Sequence, residues 1–211
     1  MRAGLGAAAL LAGLTLASCG GGHAPRTAPA GSAGTGVVVG VGGFAGAALE
    51  PPVPAPAFSL RDQDGRRASL AEYRGHVVVL AFLGTRCAPG CVLVAQQIRG
   101  ALDDVSRPPA VLLVSVSPAA DTPARVRRFL GTVSLAGRAR YLAAPAAALP
   151  ALWRGYRVTT PSAGRAAFER AIQVVLVDGQ GRERVLFEPE QLTPEALAHD
   201  IGKLDGVPPG R

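Results

Sequence analysis

A chain of 211 residues is long enough for one domain with a full core plus extensions. It is 48% hydrophobic but only 5% aromatic, so that core has to be built mainly from Val, Leu and Ala. The formal net charge is +7, and all but one of the 22 Lys and Arg residues are arginines. They are scattered without interleaved aromatics, which speaks against a nucleic-acid surface and for a solvated basic one.

Met1-Arg2 is a short positive start, and Ala3 to Leu16 is an apolar stretch of export-signal length, too short for a comfortable membrane span. It ends in Leu16-Ala17-Ser18-Cys19, which resembles the bacterial lipobox. That resemblance implies a signal peptide over 1–18, cleavage before Cys19, lipidation of Cys19 and anchoring at the extracytoplasmic face of a bacterial membrane. Of the three cysteines, one pair then remains, Cys87 and Cys91, in a compartment where disulfides persist. Residues 19–55 are Gly/Ala/Pro-rich and nearly uncharged and read as a tether. Within them Gly36 to Leu49 is apolar; its glycines argue against a membrane span, and whether it packs on the domain stays open.

The domain is expected over 56–205, with a short tail at 206–211. Pro56 to Leu60 followed by Arg61 to Arg66 reads as a short strand and a tight turn. Ser69 and Glu72 form a capping-box pattern for one helical turn. Val77 to Phe82 is a continuous apolar run, the signature of a buried strand, and Val94, Ala95, Ile98 and Leu102 then repeat at helical spacing. Pro108-Pro109 breaks the chain before a second buried strand, Val111 to Val116, completing a βαβ unit. Thr122 caps a helix with Pro123 at its first position, running to about Leu130. Tyr141-Leu142 reads as a short edge strand and Ala146 to Tyr156 as a helix. Ile172 to Val177, the turn Asp178-Gly179-Gln180-Gly181, and Glu183 to Phe187 form an antiparallel hairpin. Thr193-Pro194-Glu195 opens a last helix ending near Leu204.

Leu83 to Cys91 places both cysteines where the first buried strand turns into a helix. The unpaired N–H groups and dipole of a helix start favour thiolate over thiol, and Arg86 adds positive charge. A thiolate is both the nucleophile of disulfide exchange and a ligand for soft metals.

The order of elements, with a dithiol at the first strand–helix junction, is the thioredoxin-like plan: α/β, a central mixed sheet flanked by helices. From about Pro56 to Leu204 the chain also resembles the SCO/SenC family of copper-centre assembly proteins of cytochrome c oxidase. The match rests on Phe58-Ser59-Leu60…Gln63-Asp64-Gly65, Thr85-Arg86-Cys87…Cys91, Ser115-Val116-Ser117-Pro118…Asp121-Thr122-Pro123, and Leu176-Val177-Asp178…Gly181. The resemblance implies copper bound by both cysteines and a histidine just before the strand at Ile172–Val177. Arg170 stands at that position, and a guanidinium has no lone pair for a metal. His23, His76 and His199 are poor replacements. Ser117 stands where the family usually has aspartate, and Ala88 and Val92 replace the prolines after each cysteine. Asp121 matches the family's second acidic position, with helix capping as its simplest role.

Cys87 and Cys91 admit three readings. They form a redox pair that needs no cofactor, with Cys87 attacking and Arg170 stabilising a thiolate. Or they carry Cu(I), which tolerates two sulfur ligands. Or they form a static disulfide, which helical positions i and i+4 allow only with a distorted first turn. A degenerate member acting only as a binding module is a further variant. The missing histidine favours the first reading, with a respiratory copper protein, such as the copper subunit of cytochrome c oxidase, as the partner implied by resemblance. Peroxiredoxins share the layout but carry a proline and a Thr/Ser where this chain has Leu80 and Gly84.

Overall fold

Short apolar runs bounded by turn signals suit strands of a sheet covered on both faces, and the two such runs here lie side by side at the centre of the sheet. A computed structural model describes residues 40–87, 89–143 and 148–206, all within the compact unit Gly36–Arg211. Its strands are β1 (Ala47–Pro54), β2 (Ser59–Asp62), β3 (Arg67–Ser69), β4 (Val78–Leu83), β5 (Ala110–Ser115), β6 (Arg140–Ala143), β7 (Val174–Val177) and β8 (Arg182–Phe187). Its α-helices are α1 (Gly90–Asp104), α2 (Pro123–Thr132), α3 (Leu149–Gly155), α4 (Arg165–Arg170) and α5 (Pro194–Asp205).

The strands form one mixed sheet in the order β1-β8-β7-β4-β5-β6-β2-β3. β4, β5 and β6 run parallel, in register from Val78↔Ala110 to Leu83↔Ser115 and from Leu112↔Arg140 to Val114↔Leu142. β7 lies antiparallel on the other side of β4, followed by β8 and β1. Every residue of β4 and β7 is buried, as strands covered on both faces require. The α/β class read from the sequence therefore holds, with the parallel strands ending at the dithiol. Among the described residues no helix is long and apolar enough to cross a membrane.

Three readings need correction. Residues 19–55 read as a tether, with the packing of Gly36 to Leu49 left open, yet β1 lies in that stretch and pairs with β8. Phe44 is buried there, with Lys203 Nζ 5.1 Å and the Arg184 guanidinium carbon 5.7 Å from its ring centroid. Buried Asp200 on α5 accepts from Ala45 N at 2.8 Å and Gly46 N at 3.0 Å, fixing the entry of β1. Second, β6 is no edge strand, because the β2–β3 hairpin continues the sheet beyond it. Arg140 at the start of β6 binds Asp62 Oδ2 at 2.9 Å and Tyr73 Oη at 2.8 Å, tying hairpin and strand together. Third, Ser69 donates to Glu72 Oε1 at 3.1 Å instead of capping a backbone N–H, and the next residues form a 3-10 turn, Leu70–Tyr73. The export signal, Cys19, His23 and the first half of the tether lie outside the described residues, as do 207–211.

Candidate active site

β4 delivers the chain to Gly84, which is buried against the end of β5. A Cβ there would sit 3.4 Å from Val116 Cγ2 and 3.5 Å from Ser117 Oγ, so the turn lies in contact with the two residues that follow that strand. The chain then passes through Thr85, Arg86 and Cys87 and enters α1 at Gly90. Cys87 and Cys91 are joined by a disulfide with Cα atoms 5.3 Å apart, inside the usual range for such bridges. The distortion expected of an i, i+4 bridge is not needed, because Cys87 lies ahead of the helix and only Cys91 is within it. The backbone is continuous in hydrogen bonding all the same, Cys91 N donating to Cys87 O at 2.8 Å.

The two sulfurs have different settings. Cys87 is 8% exposed and Cys91 is 0% exposed. Gly84 N donates to Cys91 Sγ at 3.4 Å, and no side chain caps the N-terminus of α1, leaving its dipole directed at the dithiol. Arg86 is exposed beside them.

The far wall comes from the end of α4. A Cβ on Gly90 would lie 3.2 Å from Glu169 Cγ and 3.3 Å from Ile172 Cδ1, so these two side chains pack on the first residue of α1. Glu169 is paired with Arg165, Nε to Oε1 at 2.8 Å. Arg170 is exposed at the last position of α4 and makes no hydrogen bond or ion pair with another described residue. Glu169 thus stands at the wall where the sequence drew attention to its neighbour.

Asp121 does not cap α2. Thr122 does, its Oγ1 accepting from Arg125 N at 3.4 Å. Asp121 is buried under the dithiol turn, accepting from Thr85 N at 2.9 Å and Thr85 Oγ1 at 2.6 Å on one oxygen. Ser115 Oγ at 2.5 Å and Tyr141 Oη at 2.7 Å donate to the other. Burial and the Asp121 carboxylate push the Tyr141 phenol well above the ordinary tyrosine value, so it remains a donor. Trp153 on α3 covers this network, Nε1 donating to Ser115 O at 3.0 Å.

Among the described residues no three His, Cys, Asp or Glu side chains are gathered to hold a metal. His76 is exposed at the start of β4, the end remote from Cys87, and His199 on α5 engages Asp200 at 2.8 Å. The two sulfurs alone suit two-coordinate Cu(I) and lack the nitrogen or oxygen ligands that Cu(II) wants. Thiol–disulfide exchange, by contrast, needs only what is present: a disulfide between two cysteines, one 8% exposed and the other wholly buried.

A family model described as SCO1/SenC matches residues 47–205. The yeast Sco1 structure with copper bound is similar over 74% of this chain and 96% of that one, with TM-score 0.62 and 17% identity. BsSco, described as a member of the Sco family of cytochrome c oxidase assembly proteins with a disulfide switch, matches over 74% and 96%, with TM-score 0.58 and 17% identity. The thioredoxin domain of a thiol-disulfide oxidoreductase from Bacteroides vulgatus matches over 71% and 94%, with TM-score 0.55 and 14% identity. At such identities these likenesses speak for the fold, which is thioredoxin-like. Among curated proteins, a putative peroxiredoxin of Mycobacterium tuberculosis is 38% identical over 81 residues, which cover 38% of this chain. The chain spans about half the length of that relative, 50%.

Proposed function

This chain belongs to the SCO1/SenC family, and on that premise we propose that its Cys87–Cys91 pair acts by thiol–disulfide exchange in the maturation of a respiratory copper centre. The observation that carries the reading is the pair itself: a disulfide between Cys87, the slightly more exposed residue, and wholly buried Cys91, without a third metal ligand among the described residues. In the reduced protein the Cys87 thiolate attacks a client disulfide, forming a mixed disulfide and releasing the client's first thiolate. The Cys91 thiolate then attacks Cys87 Sγ, re-forming the Cys87–Cys91 bond and releasing the second. Two electrons pass to the client, solvent supplies two protons, and an external dithiol reductase returns the pair to its reduced state. Arg170, with its guanidinium unpaired among the described residues, supplies positive charge on the side of α4.

The client is a copper protein of the respiratory chain, with the copper subunit of cytochrome c oxidase as first choice. That choice is supported by family membership and by the description of BsSco as belonging to a family of oxidase assembly proteins. Anchoring through a lipidated Cys19 would hold the domain at the extracytoplasmic face of the membrane, beside such clients. Leu80 and Gly84, in place of the proline and hydroxyl residue of peroxiredoxins, weigh against peroxide reduction. Delivery of Cu(I) by the same two sulfurs is the second reading, supported by the copper-bound yeast neighbour.

The test is to mix the reduced full-length protein with an oxidase copper subunit whose copper-site cysteines are oxidised, without copper, and to count thiols on each protein. Two thiols should disappear from this protein for every two that appear on the client. A client that remains oxidised rejects the exchange reading.

A further inference from the structure

Asp121 is 4% exposed and lies outside the helix cap it was expected to form. Burying a carboxylate is unfavourable unless its oxygens are satisfied, and here four donors meet it, two from Thr85 and one each from Ser115 and Tyr141. Apolar residues would close that space without such a network, so the contacts themselves are informative. Two of them end on Thr85, the residue after Gly84, and Gly84 donates its N–H to Cys91 Sγ at 3.4 Å. A glycine is the loosest joint a backbone offers, with two soft torsions and no side chain to limit them. Such a joint has to be held on both sides. Thr85 is held beyond it, and before it the Leu83–Gly84 peptide, which carries the Gly84 N–H, is held through its carbonyl. That carbonyl accepts from Val116 N at 3.0 Å and lies 3.0 Å from the Tyr141 hydroxyl that Asp121 also binds.

We propose that Asp121 is a positioning residue for the dithiol: by holding Thr85 on one side of Gly84 and Tyr141, at the Leu83 carbonyl, on the other, it aims the Gly84 N–H at Cys91 Sγ, which makes Cys91 the sulfur that leaves when the disulfide is opened. This rests on the exchange reading of the pair. An incoming thiolate attacks Cys87 Sγ, the sulfur of the more exposed residue, and forms a bond to it. The Cys87–Cys91 bond breaks, and its electron pair goes to Cys91 Sγ, where the Gly84 N–H and the start of α1 meet the growing charge. With a dithiol as reductant, its second thiolate then attacks its own sulfur bonded to Cys87 and releases the Cys87 thiolate, closing the reductant into a disulfide. Solvent protonates Cys87 and Cys91 as required.

The full-length protein is tested with dithiothreitol as the attacking dithiol and with a glutathione redox buffer. A hydrogen bond to a charged group is worth enough that Asp121→Ala is expected to slow reduction about tenfold and to shift the equilibrium about tenfold toward the disulfide. Asp121→Asn, which can still accept both Thr85 donors and offer its amide to the two hydroxyls, restores both values to within about twofold of the parent. An Asp121→Ala protein that melts at lower temperature but matches the parent in rate and equilibrium overturns the proposal, since the role is then structural only. An Asp121→Asn protein displaced as far as Asp121→Ala also overturns it, since charge and not position is then responsible. Should Asp121→Ala fail to fold, Thr85→Val decides: it loses one of the two donors and should move both readings about two- to threefold the same way. No change in that variant overturns the proposal. A parent protein that dithiothreitol does not open at all sinks the exchange reading itself, a different result from any of these.

Discussion

Cys91→Ser protein should hold a disulfide-bearing client as a stable mixed disulfide on Cys87, whereas Cys87→Ser protein should capture none. The asymmetry comes from position. Cys87 lies in the turn ahead of α1 with 8% of its surface exposed, while Cys91 is wholly buried in the first turn of the helix with the Gly84 N–H on its sulfur. Attack by a client sulfur is therefore expected at Cys87. Without Cys91 the mixed disulfide has no internal thiolate to resolve it, so its lifetime should lengthen by roughly 100-fold or more, the scale on which neighbouring groups outrun dissolved ones. Intact-mass measurement without reductant reads the adduct directly. Equal capture by both single variants would show that the burial difference does not govern attack.

Phe82→Ala carries the largest expected loss of stability, about 3–5 kcal/mol. Phe82 is 1% exposed, sits in β4 between β5 and β7, and its ring centroid is 5.2 Å from that of Tyr156. Phe82 is among the largest fully buried side chains of the core, and close-packed neighbours refill a benzyl-sized cavity only in part. Because Gly84 is two residues on, the lost support should also loosen the dithiol turn. Denaturant unfolding reads the stability, and a loss below about 1 kcal/mol would mean that the neighbours collapse into the space far more completely than rigid packing allows.

The buried centre of the fold was legible from sequence because it is written in local signals. β4 and β5 are continuous apolar runs, Thr122-Pro123 and Thr193-Pro194 mark helix starts, and Asp178-Gly179 marks the hairpin turn. β1 was not legible. Ala47-Ala48-Leu49-Glu50-Pro51-Pro52 has the composition of a linker, and it becomes a strand only because β8 offers an edge and Asp200, about 150 residues away in sequence, takes up two of its approaching N–H groups. The site divides the same way. The cysteine spacing announced the dithiol, but Asp121 read as a cap because it precedes Thr122-Pro123. Its real partners, Thr85, Ser115 and Tyr141, are assembled by the parallel order of β4, β5 and β6. The one hint in the sequence was redundancy: Thr122 already supplies the cap, which leaves the aspartate free for another role. Glu169 does not stand out beside Arg170 in the sequence because helix α4, and hence which of its side chains meets Gly90, is a tertiary fact.

The central claim is that Cys87 and Cys91 exchange disulfides and do not chiefly carry copper. Competition for Cu(I) against a chromogenic chelator tests it most directly, with reduced full-length protein in detergent, since a truncation at residue 50 would cut into β1. Cys87→Ser and Arg170→His run beside the parent. The parent is expected to compete weakly and Arg170→His, which puts a histidine back at the position the family resemblance matches, to gain affinity. A parent that competes strongly, with the affinity lost in Cys87→Ser, would contradict the claim and make the protein a two-thiolate copper carrier.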